Sequence, residues 1–231
     1  MNTKSLTLFL PCYNEEANLK RVIEDAISIL PKIADEFEIL IIDDGSQDRT
    51  GEIADNLSIQ KKEIRVIHHS KNMGYGAALR TGFKHSTKDL VFFTDGDGQF
   101  NLEEITKLLP HINNYEIVTG YRIKRMDPLS RRINASLWSW LVNIIFRVRI
   151  RDINCAFKLF QRNIFNSLSL ESDGAFINAE LFARARKAGY RIKEVGVNHY
   201  PRLKGKQTGA NMKVITKAFR ELILLWHSLT R

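Results

Sequence analysis

The sequence has few cysteines, no long apolar run and no recognisable leader. Each of these features excludes a class of protein or a type of segment. Cys12 and Cys155 are the only two cysteines among 231 residues. This excludes a disulfide-rich scaffold and a cysteine metal cluster, and it predicts a reducing, cytoplasmic setting. No apolar run approaches the roughly 20 residues of a membrane-spanning helix, and the first residues lead directly into a strand-like run instead of a signal peptide. We therefore expect any membrane contact to be peripheral.

Acidic residues are fewer than basic residues. Lys and Arg number 35 against 26 Asp and Glu, which gives a formal net charge of +9. This balance predicts an anionic partner, such as a phosphorylated substrate, an anionic membrane surface or a nucleic acid. The hydrophobic content of 44% and the length of 231 residues are typical of one globular domain with a large core.

The chain contains strand-like apolar runs that alternate with helical patterns. The runs cover residues 5–10, 37–42, 64–68, 90–95, 116–119 and 192–197. A helix is predicted after the first run, with Asn14 as its N-cap, and another over residues 102–112. This alternation predicts an α/β fold with a doubly wound, mostly parallel sheet and helices on both faces.

The run that ends at Asp95 is the most informative part of the sequence. Asp95 and Asp97 are separated by one glycine, and Gln99 follows two residues later. Two carboxylates and an amide oxygen are hard ligands that suit Mg²⁺ or Mn²⁺. Taken alone, the same residues could form a solvated turn.

Polar clusters follow three of the predicted strands. Because the carboxyl ends of parallel strands meet at one edge of a sheet, these clusters are expected to lie together. The pairs are Asn14 and Glu15, Asp43 and Asp44, and Asp95 and Asp97. Three such coincidences favour a ligand site for a metal-bound diphosphate over a set of solvated turns.

Four motifs together resemble those of the inverting nucleotide-sugar glycosyltransferases of family 2, which have the GT-A fold. The motifs are Pro11-x-Tyr13-Asn14-Glu15, Asp43-Asp44-Gly45-Ser46-x-Asp48-x-Thr50, Asn72-x-Gly74-x-Gly76-x-Ala78 and Asp95-x-Asp97-x-Gln99. Within the family, the chain is most similar to the dolichyl- or polyprenyl-phosphate sugar synthases, where a glutamine follows the acidic pair as Gln99 does here. The resemblance covers roughly residues 5–205.

The resemblance implies roles for these residues in the first half of the chain. Pro11, Tyr13 and Glu15 would line the pocket for the base and ribose, and Asp44 would contact the base or ribose with support from Asp43. Asp95 would face the ribose and the metal. Asp97, also a catalytic candidate, and Gln99 would hold Mg²⁺ or Mn²⁺ against the diphosphate.

The second half of the chain supplies basic candidates. The family places an arginine on the donor or acceptor phosphate, and Arg122 and Arg131 are the matching candidates, since a guanidinium binds two phosphate oxygens at once. A basic solvated loop is the alternative. The glycine-rich stretch from His199 to Gly209 resembles the loop that folds over the diphosphate, with Arg202 as its first candidate and His199 and Lys206 next.

Glu180 has two open roles. Many family members have an acidic general base near its position. A lipid-phosphate acceptor needs no base, because its oxygen is already anionic near pH 7, so Glu180 could equally be a structural anion.

Two amphipathic helices are predicted near the end of the chain. Residues 133–150 have a broad apolar surface that includes Trp138 and Trp140, and arginines cluster at the end of the helix. Such a helix suits an anionic membrane interface, but it also suits packing on the sheet or a dimer contact. Residues 210–231 form the second helix.

We therefore expect a single GT-A domain over residues 1–209, with a nucleotide-sugar half at 1–120, an acceptor half at 121–209 and a terminal helix at 210–231. The expected activity is inverting transfer of a sugar from a GDP- or UDP-sugar to a polyprenyl or dolichyl phosphate at the cytoplasmic face of a membrane. The alternatives are a glycan or protein acceptor, or an inactive subunit that binds nucleotide sugar or membrane. A second copy or a membrane protein could be a further partner. Nucleic acid is not expected, because the acidic sheet edge would repel its backbone.

Overall fold

A computed structural model describes residues 3–123, 129–202 and 212–230, which form seven strands and six α-helices. The strands are β1 Thr3–Cys12, β2 Ala34–Asp43, β3 Ile64–His68, β4 Leu90–Thr94, β5 Ile117–Arg122, β6 Phe157–Gln161 and β7 Ile192–Val197. The helices are α1 Leu19–Ile29, α2 Thr50–Gln60, α3 Tyr75–His85, α4 Leu129–Phe146, α5 Ile177–Lys187 and α6 Met212–Thr230.

All seven strands belong to one sheet with the order β3-β2-β1-β4-β6-β5-β7. β6 is antiparallel to its neighbours β4 and β5, and every other pairing is parallel. The predicted single-domain α/β fold with a mostly parallel sheet is confirmed. β6 was not among the predicted strands, and the predicted helix over residues 102–112 is instead a pair of short 3₁₀ segments.

The sheet is buried on both faces, which explains why its strands are continuous apolar runs. Along β1, Leu6, Leu8 and Leu10 belong to the core layer that includes α1. Phe9 points into the opposite layer, which contains residues of α3 and α5. There it stacks on Phe93 of β4, with ring centroids 5.4 Å apart.

The prediction that Asn14 caps the first helix is wrong. Helix α1 begins at Leu19, and Asn14 has a left-handed backbone with φ 56°, a conformation that Asn tolerates better than most residues. Its side-chain oxygen accepts a hydrogen bond from the Gln47 amide at 2.8 Å, and its own amide donates to Ser46 Oγ at 3.0 Å. Asn14 therefore joins the loop after β1 to the loop after β2.

Candidate active site

The carboxyl ends of β2, β1 and β4 lie side by side, so the three predicted polar clusters meet at one edge of the sheet. The Asp44 amide donates to the Cys12 carbonyl at 2.9 Å, which joins the first two loops. Gly96 packs so closely on Cys12 that a Cβ added to it would lie 2.7 Å from the Cys12 sulfur. A glycine is needed here, because any side chain would separate the β1 and β4 loops.

Asp95 and Asp97 form the acidic centre of this edge. Burial and the neighbouring Asp97 charge raise the pKa of Asp95 to about 7. Burial also raises the pKa of Asp97, although the Gln99 amide and Arg202 act in the opposite direction. Two carboxylates that destabilise each other's charge in this way suit a cation.

The residues present fit a divalent ion of the Mg²⁺ type. Such an ion commonly takes one or two carboxylates and completes its shell with water and phosphate oxygens. Among the residues that the structure describes, no three His, Cys, Asp or Glu side chains are placed to hold a metal. An ion here would therefore depend on Asp95, Asp97, the amide oxygen of Gln99 and ligand oxygens. The Gln99 side-chain nitrogen donates to the Tyr200 carbonyl at 3.0 Å, which leaves the amide oxygen for the ion.

Arg202 reaches the acidic centre from the far end of the chain. Its Nη2 atom lies 2.6 Å from Glu15 Oε1, and its Nη1 atom lies 3.6 Å from Asp97 Oδ2. The Tyr200 amide also donates to the Gln99 carbonyl at 2.9 Å, which fixes this segment to the β4 loop. His199 is buried beside Phe100, with ring centroids 5.3 Å apart. Lys206 lies outside the described residues.

Asp43 and Asp44 are both engaged by the protein. Asp44 accepts hydrogen bonds from the Met73 and Gly74 amides, each at 2.9 Å, and contacts His69 Nδ1 at 2.7 Å. Asp43 accepts from the Ser46 amide at 3.0 Å and contacts a histidine of β3 at 2.9 Å. These carboxylates hold neighbouring loops together at this edge of the sheet. Their contact with a base or ribose stays a prediction.

Pro11 and Tyr13 lie at the end of β1, where Pro11 is buried and Tyr13 is partly exposed. Both flank Cys12 beside the acidic centre. Their contact with a base also stays a prediction.

Arg122 lies at the end of β5 and is held by Asp152 through two parallel hydrogen bonds. Its Nε and Nη2 atoms donate to the two carboxylate oxygens at 2.7 and 2.8 Å. Both side chains are nearly buried. Arg131 lies in α4, and its side chain is outside the described set. Phosphate binding by either arginine stays a prediction.

Glu180 is buried in α5, and the protein satisfies both of its carboxylate oxygens. The Ser172 amide donates to one oxygen at 2.8 Å, and Arg184 Nε donates to the other at 2.7 Å. The Glu171 amide contacts both. These contacts favour the second of the two roles left open by the sequence, a structural anion, and a role as general base stays a prediction.

The sequence model of the family described as "Glycosyl transferase family 2" matches residues 7–176. The chain belongs to this family. It is 30% identical over 237 residues to glycosyltransferase AglD of Haloferax volcanii, a match that covers 97% of this chain and 37% of that protein. It is 32% identical over 174 residues to the dolichyl-phosphate beta-glucosyltransferase ALG5C of Trichomonas vaginalis, over 68% of this chain and 51% of the relative.

A third relative is the undecaprenyl-phosphate 4-deoxy-4-formamido-L-arabinose transferase of Pectobacterium atrosepticum, 28% identical over 96% of this chain and 68% of that protein. The glucosyl-3-phosphoglycerate synthase of Mycobacterium tuberculosis, solved with Mn²⁺, UDP and glucosyl-3-phosphoglycerate, has the same fold. Its TM-score is 0.70 at 18% identity, with 98% of this chain and 80% of that one covered. The chain spans well under two thirds of the length of AglD and of ALG5C, the first two relatives named above.

Sequence reasoning missed one buried residue next to this site, a lysine behind Asp95. Lys158 in β6 has no exposed surface. Its Nζ atom donates to Asn178 Oδ1 at 2.9 Å and to the Cys155 carbonyl, and it lies 5.0 Å from the centroid of the Phe93 ring. Burial lowers the pKa of Lys158 to about 8. The signal in the sequence was a charged residue inside an apolar run, Phe-Lys-Leu-Phe.

Proposed function

We propose that this glycosyltransferase moves a sugar from a GDP- or UDP-sugar to a polyprenyl or dolichyl phosphate, with inversion at the anomeric carbon. The observation that carries the proposal is the convergence of Asp95, Asp97 and Arg202 at the carboxyl ends of β1 and β4. The names of two relatives state dolichyl phosphate and undecaprenyl phosphate as acceptors, which supports a lipid phosphate here.

The charges of the site suit departure of a nucleoside diphosphate. Breaking the bond between sugar and phosphate leaves negative charge on the diphosphate, and a preorganised cation stabilises that charge. Arg202 supplies one such cation. A divalent ion held by Asp95, Asp97 and Gln99 would supply Lewis-acid stabilisation of the same charge. Asp97 is then the residue whose loss most directly removes metal-dependent turnover.

The remaining candidates divide between donor and acceptor. We assign the base and ribose to the wall formed by Pro11, Tyr13, Glu15, Asp43 and Asp44. We assign phosphate oxygens to Arg122, Arg131 and Lys206. In Arg122, the bidentate contact with Asp152 fixes the guanidinium plane before substrate arrives. An anionic acceptor oxygen would attack the anomeric carbon from the face opposite the leaving diphosphate, without a general base.

An exposed apolar surface supports a lipid acceptor. On α4, the exposed residues Ile133, Leu137, Trp140 and Ile144 are spaced by four, three and four positions, which puts them in one stripe. On α6, Phe219, Ile223 and Trp226 form a second exposed stripe. Trp138 contacts Phe219, with ring centroids 5.7 Å apart, so the two helices are neighbours. We call these seven residues the α4–α6 apolar face.

The α4–α6 apolar face has the composition of an interfacial membrane surface. Tryptophans suit the headgroup level, and large exposed apolar patches mark interaction sites. Arg147 and Arg149, both exposed, follow α4 directly and suit anionic headgroups. We therefore propose a peripheral position on an anionic membrane. In the described part of the chain, no helix has the length and hydropathy that crossing a bilayer requires.

The test is a donor screen with a lipid acceptor. Purified protein is mixed with undecaprenyl or dolichyl phosphate in detergent, Mn²⁺ or Mg²⁺, and a panel of GDP- and UDP-sugars. The readouts are released nucleoside diphosphate and glycolipid mass. A metal-dependent glycolipid from one donor is the expected result. Donor turnover without glycolipid would move the acceptor to a glycan or protein, and absence of nucleotide-sugar binding would remove the proposed function.

A further inference from the structure

Gln99 holds both backbone polar groups of Tyr200. The Gln99 carbonyl accepts a hydrogen bond from the Tyr200 amide at 2.9 Å, and the Gln99 side-chain nitrogen donates to the Tyr200 carbonyl at 3.0 Å. We call this pair of bonds the Gln99 clamp. Gln99 is buried, whereas Tyr200 is 46% exposed. The position of Tyr200 therefore depends more on the clamp than on packing of its own side chain.

The Gln99 clamp sets the position of Arg202. Pro201 stands between Tyr200 and Arg202, and a proline both fixes its own φ and restricts the residue before it to extended conformations. The connection from the clamp to Arg202 is therefore short and stiff. At the end of this connection, Arg202 Nη1 lies 3.6 Å from Asp97 Oδ2.

A second anchor holds the start of the same segment. Glu104, in the 3₁₀ segment after β4, accepts hydrogen bonds from the backbone amide and the side-chain amide of Asn198, at 3.0 and 2.5 Å. Residues 198–202 are thus held by two residues that follow β4. Gln99 is the anchor whose own backbone amide donates to Asp97 Oδ1, at 3.1 Å. The clamp is therefore continuous with the acidic centre.

The chemistry of the side-chain amide determines which atom of Gln99 faces Tyr200. A backbone carbonyl only accepts hydrogen bonds, so the atom that faces it must be the nitrogen. The amide oxygen leaves the same carbon atom in another direction, and it is the oxygen that the proposed function gives to a divalent ion. One side chain can therefore serve the ion and the clamp at the same time.

Two physical effects connect an ion on this oxygen to the clamp. A cation draws electron density from the amide, which makes its nitrogen a stronger donor to Tyr200. It also fixes side-chain torsions that the clamp otherwise has to restrain alone. Both effects strengthen the clamp when the ion is bound. Because such coupling is reciprocal, a formed clamp strengthens ion binding by the same factor.

We propose that Gln99 couples occupancy of the ion site to the position of Arg202. Gln99 acts on Arg202 through Tyr200 and is, in that respect, a positioning residue. The inference rests on the proposed function, because it uses the ion and the arginine that were assigned there to the leaving diphosphate. Its consequence is that an occupied ion site also holds Arg202 where negative charge develops.

Two variants of Gln99 test the coupling. Gln99→Glu keeps an oxygen for the ion but replaces the N–H donor by an oxygen, which repels the Tyr200 carbonyl. Gln99→Met keeps the length of the side chain and removes both polar groups. Gln161→Met is the matched control, because the Gln161 side-chain nitrogen also donates to a backbone carbonyl, that of Ile112 at 2.8 Å. Gln161 pairs with the first residue of β4, at the end of the strand opposite the acidic centre.

The first readout is hydrogen exchange of residues 198–202, followed by mass spectrometry with and without Mn²⁺. Without the ion, Gln99→Met is expected to exchange about fivefold faster than the wild-type protein in this segment, the effect of losing one hydrogen bond. With Mn²⁺, exchange in the wild-type protein is expected to slow about threefold, the effect of fixing a side chain in advance. Gln99→Glu is expected to show no such slowing at equal Mn²⁺ occupancy.

The other readouts are the Mn²⁺ dissociation constant, from electron paramagnetic resonance, and thermal unfolding. The dissociation constant sets the Mn²⁺ concentration at which each variant reaches the same occupancy. Gln161→Met is expected to lose about as much thermal stability as Gln99→Met, since each loses one hydrogen bond of the same kind. It is expected to match the wild-type protein in Mn²⁺ binding and in exchange of residues 198–202.

The outcomes separate the coupling from other effects of the ion. Slowing that persists in Gln99→Glu at equal occupancy would mean that the ion acts on the segment without Gln99, and the proposal is overturned. Loss of Mn²⁺ binding in Gln99→Glu overturns it too, because the side-chain oxygen would then not face the ion. Wild-type exchange that ignores bound Mn²⁺, or Gln99→Met exchange equal to wild type, has the same result. A wild-type protein that binds Mn²⁺ neither alone nor with UDP or GDP would instead remove the ion from the proposed function, and the coupling with it.

Discussion

Asp97 is buried next to a second carboxylate, and its own charge is therefore unfavourable in the ligand-free protein. Burial raises its pKa, so its ionised form lowers stability at neutral pH. We predict that Asp97→Asn reduces metal-dependent turnover by about 10²–10³-fold, a typical cost of losing one electrostatic group in a site, and leaves the protein at least as stable.

Activity assays with Mn²⁺ and urea unfolding at pH 7 check this prediction together. Asn keeps the shape of the side chain, so a loss of turnover without a loss of stability isolates the charge. Turnover near the wild-type level would contradict the assignment of Asp97 to the metal.

Glu180 differs from Asp97 because both oxygens of its carboxylate accept hydrogen bonds from other groups of the protein. Its contacts with Arg184 and the Ser172 amide are buried, and breaking such a pair is costly. We predict that Glu180→Gln lowers the free energy of unfolding by about 3 kcal/mol. We also expect the pH dependence of kcat/KM to keep its wild-type shape. Loss of the acidic limb of that profile at unchanged stability would instead indicate that Glu180 acts as a general base.

At the residue scale, the sequence predicts which acidic side chains lie close together. It does not predict which of them are already hydrogen-bonded to other groups of the protein. Asp43, Asp44, Asp95 and Asp97 follow strands, and strand ends in a parallel sheet are forced together. The partners of these acids come from distant residues, as Arg202 does for Glu15 and as Tyr75 does for Asp95. Local pattern carries no information about such pairings, so occupied and available carboxylates look alike in the sequence.

At the element scale, α4 and α6 expose the apolar face on which a membrane contact would depend. Burial of an isoleucine or tryptophan side chain contributes about 1.5–3 kcal/mol. We predict that Trp140→Ser with Ile144→Ser weakens binding to anionic vesicles by at least about tenfold. Vesicle sedimentation at fixed salt measures this.

The control for the vesicle test is Ile59→Ser on α2. Ile59 is 82% exposed, more than any residue of the α4–α6 apolar face, but it lies on a different helix. Equal loss of binding in the control and the double variant would show nonspecific adsorption. Wild-type vesicle binding in the double variant would instead indicate that the face packs against protein.

Also at the element scale, β6 shows what the hydrophobic pattern leaves out. Six of the seven strands were predicted, because they are apolar runs followed by turn residues. β6 is a five-residue strand with a buried lysine at its second position. The lysine interrupts the apolar pattern, and its partner Asn178 is 20 residues away. A strand whose polar residue is satisfied only in three dimensions cannot be identified from local sequence.

At the scale of the whole molecule, stability at acidic pH depends in part on Glu38 of β2. Its carboxylate accepts hydrogen bonds from Thr7 of β1, Arg65 of β3 and Thr87 just before β4. Burial acts to raise the pKa of Glu38, but hydrogen bonds from Thr7, Thr87 and Arg65 lower it overall. A lowered pKa means that Glu38 stabilises the fold above its unfolded pKa of about 4.3. This stabilisation is lost as pH falls through the lower folded value.

We therefore predict that Glu38→Gln has a lower urea midpoint than the wild-type protein at pH 7. The gap between the two midpoints is expected to shrink as pH falls below about 4.3, where the carboxylate of the unfolded wild-type chain becomes protonated. Urea unfolding of both proteins across this range measures the gap. A gap that stays constant with pH would mean that packing, not charge, explains the effect of the substitution.

The position of β6 between β4 and β5 has a consequence for biosynthesis. A chain that has emerged from the ribosome only as far as Arg122 already contains β1 to β5, but the neighbour that joins β4 to β5 has not yet been made. Until β6 emerges, β4 presents a free edge with the apolar sequence Leu-Val-Phe-Phe-Thr, and such edges recruit other strands. Nascent chains of this protein should therefore be most prone to self-association, and most in need of chaperones, while residues 95 to 161 are emerging from the ribosome.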